Sequence, residues 1–314
     1  MRIAVVGAGG VGALVGGLLA RAGNEVAFVA RGAQLAALRE KGLRVESARG
    51  SFHLPRVEAS DDPASLRPAE AVLVAVKGWQ VAEVAPRLAP LLAPGAFAVP
   101  LENGVEAADR LAAALGEERV VGGLCHMIAW LEAPGLVRQQ GEMLRVTLGK
   151  RPDGAGARLE PLAAALRAAG IDAVLADDVE AAVWEKFLFI SAFGGVGAAT
   201  RAPAGVVRSR PETRALLSSA MEEVAALARA RGVRLASGAV ARALAIVDGL
   251  APGATASMQR DVQAGRPSEL VDQTGAIVRL AREAGVPAPV NGFLLAALLP
   301  QEVAARTAAG LPPP

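Results

Sequence analysis

The 314-residue chain has one cysteine, two histidines and no tyrosine, and aromatic residues make up only 3 % of it. A single cysteine, Cys125, excludes a disulfide framework and fits a reducing compartment, so we expect a cytoplasmic protein. No cluster of Cys, His and acidic residues has metal-ligand spacing, and we expect no metal. The scarcity of aromatic side chains also argues against a stacking surface for nucleic acid.

Strong charge imbalance and long apolar runs are absent too. The formal net charge is +2, and the arginines are scattered along the chain rather than clustered. Hydrophobic residues reach 53 %, enough for a sizeable core, but no uninterrupted run approaches the ~18 residues of a membrane span. The first residues have a strand pattern without the basic and apolar regions of a signal peptide. We therefore expect neither nucleic acid nor membrane as a partner.

Lysine is rare in this chain. Of the 33 basic residues only four are lysines, namely Lys41, Lys77, Lys150 and Lys186. The chain uses arginine wherever a generic cation suffices, so each remaining lysine is a candidate for work that arginine cannot do, such as releasing a proton.

The N-terminal residues carry the clearest motif. An apolar strand at residues 3–6 leads into a glycine-rich turn, and an apolar helix follows; the turn consists of Gly7, Ala8, Gly9, Gly10, Val11 and Gly12. The first glycine permits a tight turn, the second lets the backbone approach a pyrophosphate, and the third lets helix and strand pack closely. The helix N-terminus then directs free N–H groups at phosphate. The alternative is a plain glycine-rich turn that binds nothing.

The pattern along the chain predicts two domains. Up to residue 177, short apolar strands alternate with helices, which indicates a parallel, doubly wound α/β sheet of the Rossmann type. Beyond it almost every segment has the pattern of an amphipathic helix. We predict a dinucleotide-binding domain at 1–177 and an all-helical domain at 178–314, whose long helices offer pairing faces for a homodimer.

Two cations follow predicted strands of the first domain. Arg31 ends the second strand, where enzymes that prefer NAD offer an acidic residue to the ribose; a cation there favours the 2′-phosphate of NADP. Lys77 follows the apolar run 71–76, and ligands bind at strand carboxyl ends in such sheets. The alternatives are an ordinary loop arginine and a surface lysine.

Further candidates are less specific on their own. Asn103 also follows a strand, and its amide suits a nicotinamide or a substrate hydroxyl, although Asn-Gly is a common turn. Lys186 lies among large apolar residues, which would partly desolvate its ammonium group and so suit it to act as a general acid. The alternative is that only the aliphatic stem of Lys186 packs against these residues while its charged end reaches water. Glu269 and Ser257 are equally consistent with helix-end residues.

Cys125 and His126 are neighbours in a predicted strand. Adjacent strand residues point to opposite faces of a sheet, so the two side chains cannot form a nucleophilic pair. We interpret them as packing or cofactor-lining residues.

Together these segments resemble the ketopantoate reductase (2-dehydropantoate 2-reductase) family over essentially the whole chain. The matching pieces are the glycine turn, V-K-G-W-Q at 76–80, E-N-G at 102–104, W-E-K-F at 184–187, S-M-Q-R-D at 257–261, the Glu269 segment and V-P-A-P-V-N at 286–291. The resemblance implies a Rossmann domain followed by a helical domain. It also implies reduction of the 2-oxo acid ketopantoate to pantoate, a precursor of pantothenate and coenzyme A.

The resemblance assigns roles to particular residues. Residues 7–12 would hold the NADPH pyrophosphate, and Arg31 and Lys77 would meet the adenosine-side phosphate and ribose. Asn103 would face nicotinamide and substrate. Lys186 would donate the proton to the ketone oxygen. The remaining matches are Ile128 and Glu269 on the cofactor and Ser257 on the substrate.

Three positions depart from the family pattern. Substrate-binding asparagines of the family are replaced here by Ile190, Gly194 and Ala254. Losing buried polar contacts costs about 1–3 kcal/mol each, unless other groups such as Ser191, Arg201 and Ser257 compensate. Two alternatives therefore remain beside ketopantoate reduction: a related β-hydroxyacid or 2-oxo acid reductase, and an NADP(H)-binding sensor without catalysis.

Overall fold

A computed structural model describes residues 1–151 and 159–314. The chain divides into two compact units: unit 1 is Met1–Glu102 with Glu106–Val179, and unit 2 is Asn103–Val105 with Glu180–Pro314. The division at Val179 lies two residues beyond the boundary predicted from the sequence. Nothing in the sequence pattern placed Asn103–Val105 in the second unit.

The first sheet of unit 1 is parallel throughout, with strand order β5-β2-β1-β6-β7. Its strands are β1 (Arg2–Val6), β2 (Glu25–Val29), β5 (Glu58–Ser60), β6 (Ala69–Val74) and β7 (Leu92–Pro100). Ile3 and Val5 of β1 belong to one apolar core, whereas Ala4 and Val6 belong to another on the opposite face. Burial on both faces explains why this strand is a continuous apolar run.

The other strands form a second, mixed sheet, a difference from the single sheet that the alternating pattern predicts. Its order is β10-β9-β3-β4, and β8 pairs with β9 in a long antiparallel hairpin. The strands are β3 (Leu43–Ser47), β4 (Phe52–Leu54), β8 (Gly122–Ala133), β9 (Leu136–Gly149) and β10 (Asp172–Leu175). Tertiary pairing decided this, because a strand's sequence does not state which sheet it joins.

The described helices of unit 1 are α1 (Gly10–Arg21), α2 (Gly32–Lys41), α3 (Val81–Val84), α4 (Ala107–Leu115) and α5 (Leu159–Ala168). The alternation of strands and helices predicts one continuous helix between β6 and β7, at 80–92, and this prediction was wrong. Only α3 and short 3₁₀ turns occupy that stretch. Pro86 and Pro90 supply no backbone N–H and so interrupt a continuous helix.

Unit 2 is helical in its described residues. Its helices are α6 (Val179–Thr200), α7 (Ala204–Ser209), α8 (Pro211–Ala230), α9 (Ala239–Gly249), α10 (Ser257–Gln263), α11 (Ala276–Glu283) and α12 (Pro289–Ala308), with a π-helical turn at Val271–Gly275. Helix α6 is the one described helix long and apolar enough to cross a membrane. Two thirds of that window is buried, and α6 contributes Phe187, Leu188 and Val196 to the core of unit 2.

Candidate functional site

The glycine turn, Arg31 and Lys77 follow three neighbouring parallel strands of unit 1. Strand β1 pairs with β2 on one side and β6 on the other, so the chain order reverses at β1. Ligands bind beyond the strand carboxyl ends at such a reversal. The edge that the sequence predicted as the binding edge therefore has the topology of a dinucleotide site.

The glycine turn has the shape that a pyrophosphate requires. Gly7 adopts φ +94°, and a Cβ there would lie 2.8 Å from the carbonyl of Ala75. A Cβ on Gly12 would overlap the Gly7 carbonyl oxygen. By contrast, a Cβ on Gly9 would meet no atom within 4 Å. The space beside Gly9, at the N-cap of α1, is open to a ligand, so these residues fit a bound dinucleotide.

Arg31 lies just before α2, and its guanidinium is 3.5 Å from the carboxylate of Glu83 on α3. Both side chains are more than half exposed, so the pair is worth little to stability and leaves the guanidinium accessible. Lys77 is half-buried three residues beyond β6, with its Nζ 5.8 Å from the ring centroid of Trp79. Arg31 and Lys77 therefore both lie in loops at the carboxyl ends of strands of the first sheet.

Ile128 lies on β8 and is 48 % exposed, a high value for an isoleucine. The next residue, Ala129, backs the glycine turn, because a Cβ on Gly10 would overlap the Ala129 carbonyl. Cys125, earlier on β8, is buried with its Sγ 3.5 Å from the Leu101 carbonyl. Buried cysteines of this kind act as packing residues.

In unit 2, Asn103 and Glu269 meet. The Asn103 Nδ2 group donates to Glu269 Oε2 at 3.3 Å, and Gln273 Nε2 donates to the same oxygen at 3.4 Å. Glu269 is 5 % exposed and Gln273 is 1 % exposed. Two amide N–H groups therefore hold the same buried carboxylate oxygen of Glu269.

Glu302, a residue of α12, holds the backbone next to Glu269 through hydrogen bonds to Ser268. Glu302 accepts hydrogen bonds from the Ser268 backbone N–H at 3.0 Å and from its hydroxyl at 2.6 Å. Arg306 donates to the same carboxylate at 3.1 Å, and both residues of this ion pair are nearly inaccessible. Glu269 therefore projects from a segment with little freedom.

Lys186 is half-buried on α6, between Trp184 and Phe187, whose rings meet edge to face at 5.7 Å. Its neighbour Glu185 is paired with Arg242 at 2.9 Å. Among the described residues, Lys186 itself makes no hydrogen bond or ion pair. Its ammonium is thus available to a ligand. Ser257, the first residue of α10, is exposed.

The three departures from the family pattern lie in unit 2. Ile190 and Ala254 are half-buried, whereas Gly194 is buried. A Cβ on Gly194 would lie 3.1 Å from Met258 Cε, so a larger side chain there would displace Met258. Ser191 cannot compensate as expected: it is fully buried and donates to the Phe187 carbonyl at 2.6 Å.

Two side chains were not singled out from the sequence. Gln273 lies one helical turn after Glu269, a spacing at which side chains meet, so its contact could have been inferred. Gln34 joins the glycine turn to the β8–β9 hairpin, and no sequence signal indicates a contact between such distant segments.

The chain matches two family models: residues 3–153 match Ketopantoate reductase PanE/ApbA, and residues 178–302 match Ketopantoate reductase PanE/ApbA C terminal. It is 32 % identical over 294 residues to a 2-dehydropantoate 2-reductase of Halobacterium salinarum, covering 92 % of this chain and 95 % of the relative. It is 25 % identical over 291 residues to an uncharacterized oxidoreductase, YkpB, of Bacillus subtilis, with coverage of 92 % and 95 %.

Solved structures are similar over almost the whole chain. A PanE/ApbA family ketopantoate reductase from Ralstonia eutropha JMP134 gives a TM-score of 0.87 at 34 % identity, with coverage of 96 % of this chain and 98 % of that one. D-mandelate dehydrogenase in a ternary structure with NADH and anilino(oxo)acetate gives 0.88 at 22 % identity, with the same coverage. The second likeness concerns the fold.

Proposed function

Because the chain belongs to the ketopantoate reductase family of oxidoreductases, we propose that it reduces ketopantoate to pantoate with NADPH. The observation that carries the cofactor part is the convergence of the glycine turn, Arg31 and Lys77 beyond adjacent parallel strands. That edge combines helix N–H groups with two cations, the chemistry that an anionic dinucleotide needs. Arg31 is the group that would distinguish NADPH from NADH.

When bound, NADPH would supply the hydride that adds to the C2 ketone carbon. The glycine turn would hold the pyrophosphate, and Ile128 would cover an apolar part of the cofactor. Asn103, oriented by Glu269, would place its carboxamide against nicotinamide and substrate. Ser257 would contact the substrate.

Lys186 would act on the ketone oxygen. As negative charge develops there, the ammonium would donate a hydrogen bond and then its proton, which yields the hydroxyl of pantoate. This interaction strengthens in the transition state, so it accelerates the reaction rather than only tightening binding. The absence of a competing partner for Lys186 in the described residues supports the assignment.

Kinetics of Lys186→Ala and Lys186→Gln would test this proposal. We expect kcat for ketopantoate to fall by about 10²–10⁴-fold, the usual range for a lost general acid. NADPH binding, followed by fluorescence titration, should change less than two-fold. Wild-type turnover retained in both variants would exclude Lys186 as the proton donor. NADPH binding without turnover of any 2-oxo acid by the wild type would instead identify a sensor.

A second candidate substrate class is a 2-oxo acid with a less polar side chain. Close packing of Met258 against Gly194, together with Ile190 and Ala254, favours this alternative. A panel of 2-oxo and 3-hydroxy acids compared by kcat/KM would separate the two; a branched or aromatic 2-oxo acid exceeding ketopantoate would favour the second. The cytoplasmic location and a homodimer remain predictions from the sequence.

A further inference from the structure

The side chain of Gln34, on α2, joins two backbone segments of unit 1. Its Nε2 group donates to the Ala8 carbonyl in the glycine turn at 2.9 Å. Its Oε1 atom accepts from the Gly135 N–H, in the turn between β8 and β9, at 2.8 Å. A carbonyl can only accept and an N–H can only donate, so these two partners fix which way the Gln34 amide faces.

The bond to Ala8 orients the peptide that precedes Gly9. In a trans peptide the C=O and N–H groups point in opposite directions. Holding the Ala8 carbonyl towards Gln34 therefore directs the Gly9 N–H away from it. Gly9 is the N-cap of α1, where the chain leaves open space for a ligand. The orientation of this peptide decides whether its N–H is available to a phosphate oxygen.

The bond to Gly135 attaches this arrangement to the second sheet. Gly135 has φ +76°, and its carbonyl accepts from the Arg44 N–H at 2.8 Å, which fixes the turn to β3. The same hairpin backs the first turn of α1, where Ala129 lies against Gly10. Gln34 therefore connects the β8–β9 hairpin on one side to the glycine turn on the other.

We infer that Gln34 is a positioning residue for the pyrophosphate of the dinucleotide. It touches the backbone of the glycine turn rather than the ligand, and it sets the direction of the Gly9 N–H. The inference rests on the proposed function only in requiring that the glycine turn binds a dinucleotide; it does not depend on which 2-oxo acid is reduced.

The test compares wild type with Gln34→Met, which keeps the length of the side chain and removes both hydrogen bonds. NADPH contains the pyrophosphate, whereas 2′-AMP contains only the adenosine side and serves as the second probe, in competition with NADPH. We expect Kd and KM for NADPH to rise about five-fold, the effect of roughly one hydrogen bond, with kcat at saturation and the inhibition constant of 2′-AMP each within about two-fold. Gln301→Met, an exposed position on α12, is the matched control and should behave as wild type.

A second variant of Gln34 keeps the test possible if Gln34→Met fails to fold. Gln34→Glu keeps the acceptor for Gly135 and loses the donor to Ala8, and 2′-AMP controls for its added negative charge. A selective loss of NADPH affinity supports the inference. Equal losses for both ligands, unchanged NADPH affinity, or a fall in kcat alone would each overturn it. If wild type reduces ketopantoate while Gln34→Met binds NADPH normally, only this inference fails; if wild type binds no NADPH, the proposed function fails with it.

Discussion

The Asn103 carboxamide donates a hydrogen bond to the Glu269 carboxylate at 3.3 Å, although 166 residues separate the two in the chain. Asn103 belongs to the loop that follows β7, and that short segment is part of the compact helical unit. The pairing fixes the orientation of the Asn103 amide, whose Nδ2 faces Glu269. Its carbonyl oxygen is then the group that a nicotinamide or a substrate hydroxyl would meet.

This pairing predicts coupling between the two residues. We expect Asn103→Ala and Glu269→Ala each to lower kcat/KM by about ten-fold or more, and the double variant to lose less than the product of the single effects. Residues in direct contact show such non-additivity, with coupling energies of about 0.5–3 kcal/mol. Asn24→Ala, which removes a side-chain hydrogen bond to the Leu19 carbonyl, is the matched control. Strictly multiplicative losses in steady-state kinetics would argue that the residues act independently.

Two adjacent glycines should respond oppositely to the same change. Gly9→Ala adds a methyl group in open space, so we expect an unchanged Tm. NADPH affinity should fall about ten-fold or more, because under the proposed function the pyrophosphate would occupy that space. Gly10→Ala forces the methyl against the Ala129 carbonyl and should cost about 1–3 kcal/mol of stability. Thermal unfolding and NADPH titration measure both. If Gly9→Ala lowered the Tm but left NADPH affinity unchanged, the proposal that the pyrophosphate binds beside Gly9 would be contradicted.

The choice between NADPH and NADH should depend on Arg31. Under the proposed function, Arg31→Ala would remove a charge-assisted bond to the 2′-phosphate, so we expect KM for NADPH to rise about ten-fold while KM for NADH changes less than two-fold. Glu83→Gln removes the carboxylate that faces Arg31 at 3.5 Å and should lower KM for NADPH. If Arg31→Ala raised KM for NADPH and for NADH equally, Arg31 would not be the residue that recognises the 2′-phosphate.

Low pH should reduce the stability that Glu25, the first residue of β2, contributes to the first sheet. Hydrogen bonds from Arg2, and then from Arg67, hold the pKa of Glu25 below its ordinary value of 4.5. The stabilisation is therefore present above that value and is lost as pH falls through the lowered pKa. Glu25→Gln should melt slightly below wild type at pH 7, and the two should converge in acid. Glu40→Gln on α2 is the control. The prediction would be contradicted if the Tm difference between Glu25→Gln and wild type did not vary with pH, or if Glu40→Gln showed the same pH-dependent difference.

The sequence by itself determined the parts that local chemistry specifies. The strand and glycine turn at the start, the two-domain division and the family membership were all predicted, because buried parallel strands, tight turns and amphipathic helices each leave a pattern in neighbouring residues. The assigned roles of Arg31, Lys77, Asn103, Ile128, Lys186, Ser257 and Glu269 stay predictions.

Only the tertiary structure decided which distant groups meet. It sorted the strands into two sheets, paired Asn103 with Glu269, committed the Ser191 hydroxyl to its own helix, and joined Gln34 to Ala8 and Gly135. Such contacts depend on the packing of segments far apart in the chain, and a hydrogen bond between them imposes no periodicity on either segment. The sequence therefore predicts the ligand class that the first unit is built to bind, whereas the positions of the groups that orient the ligand follow from the fold.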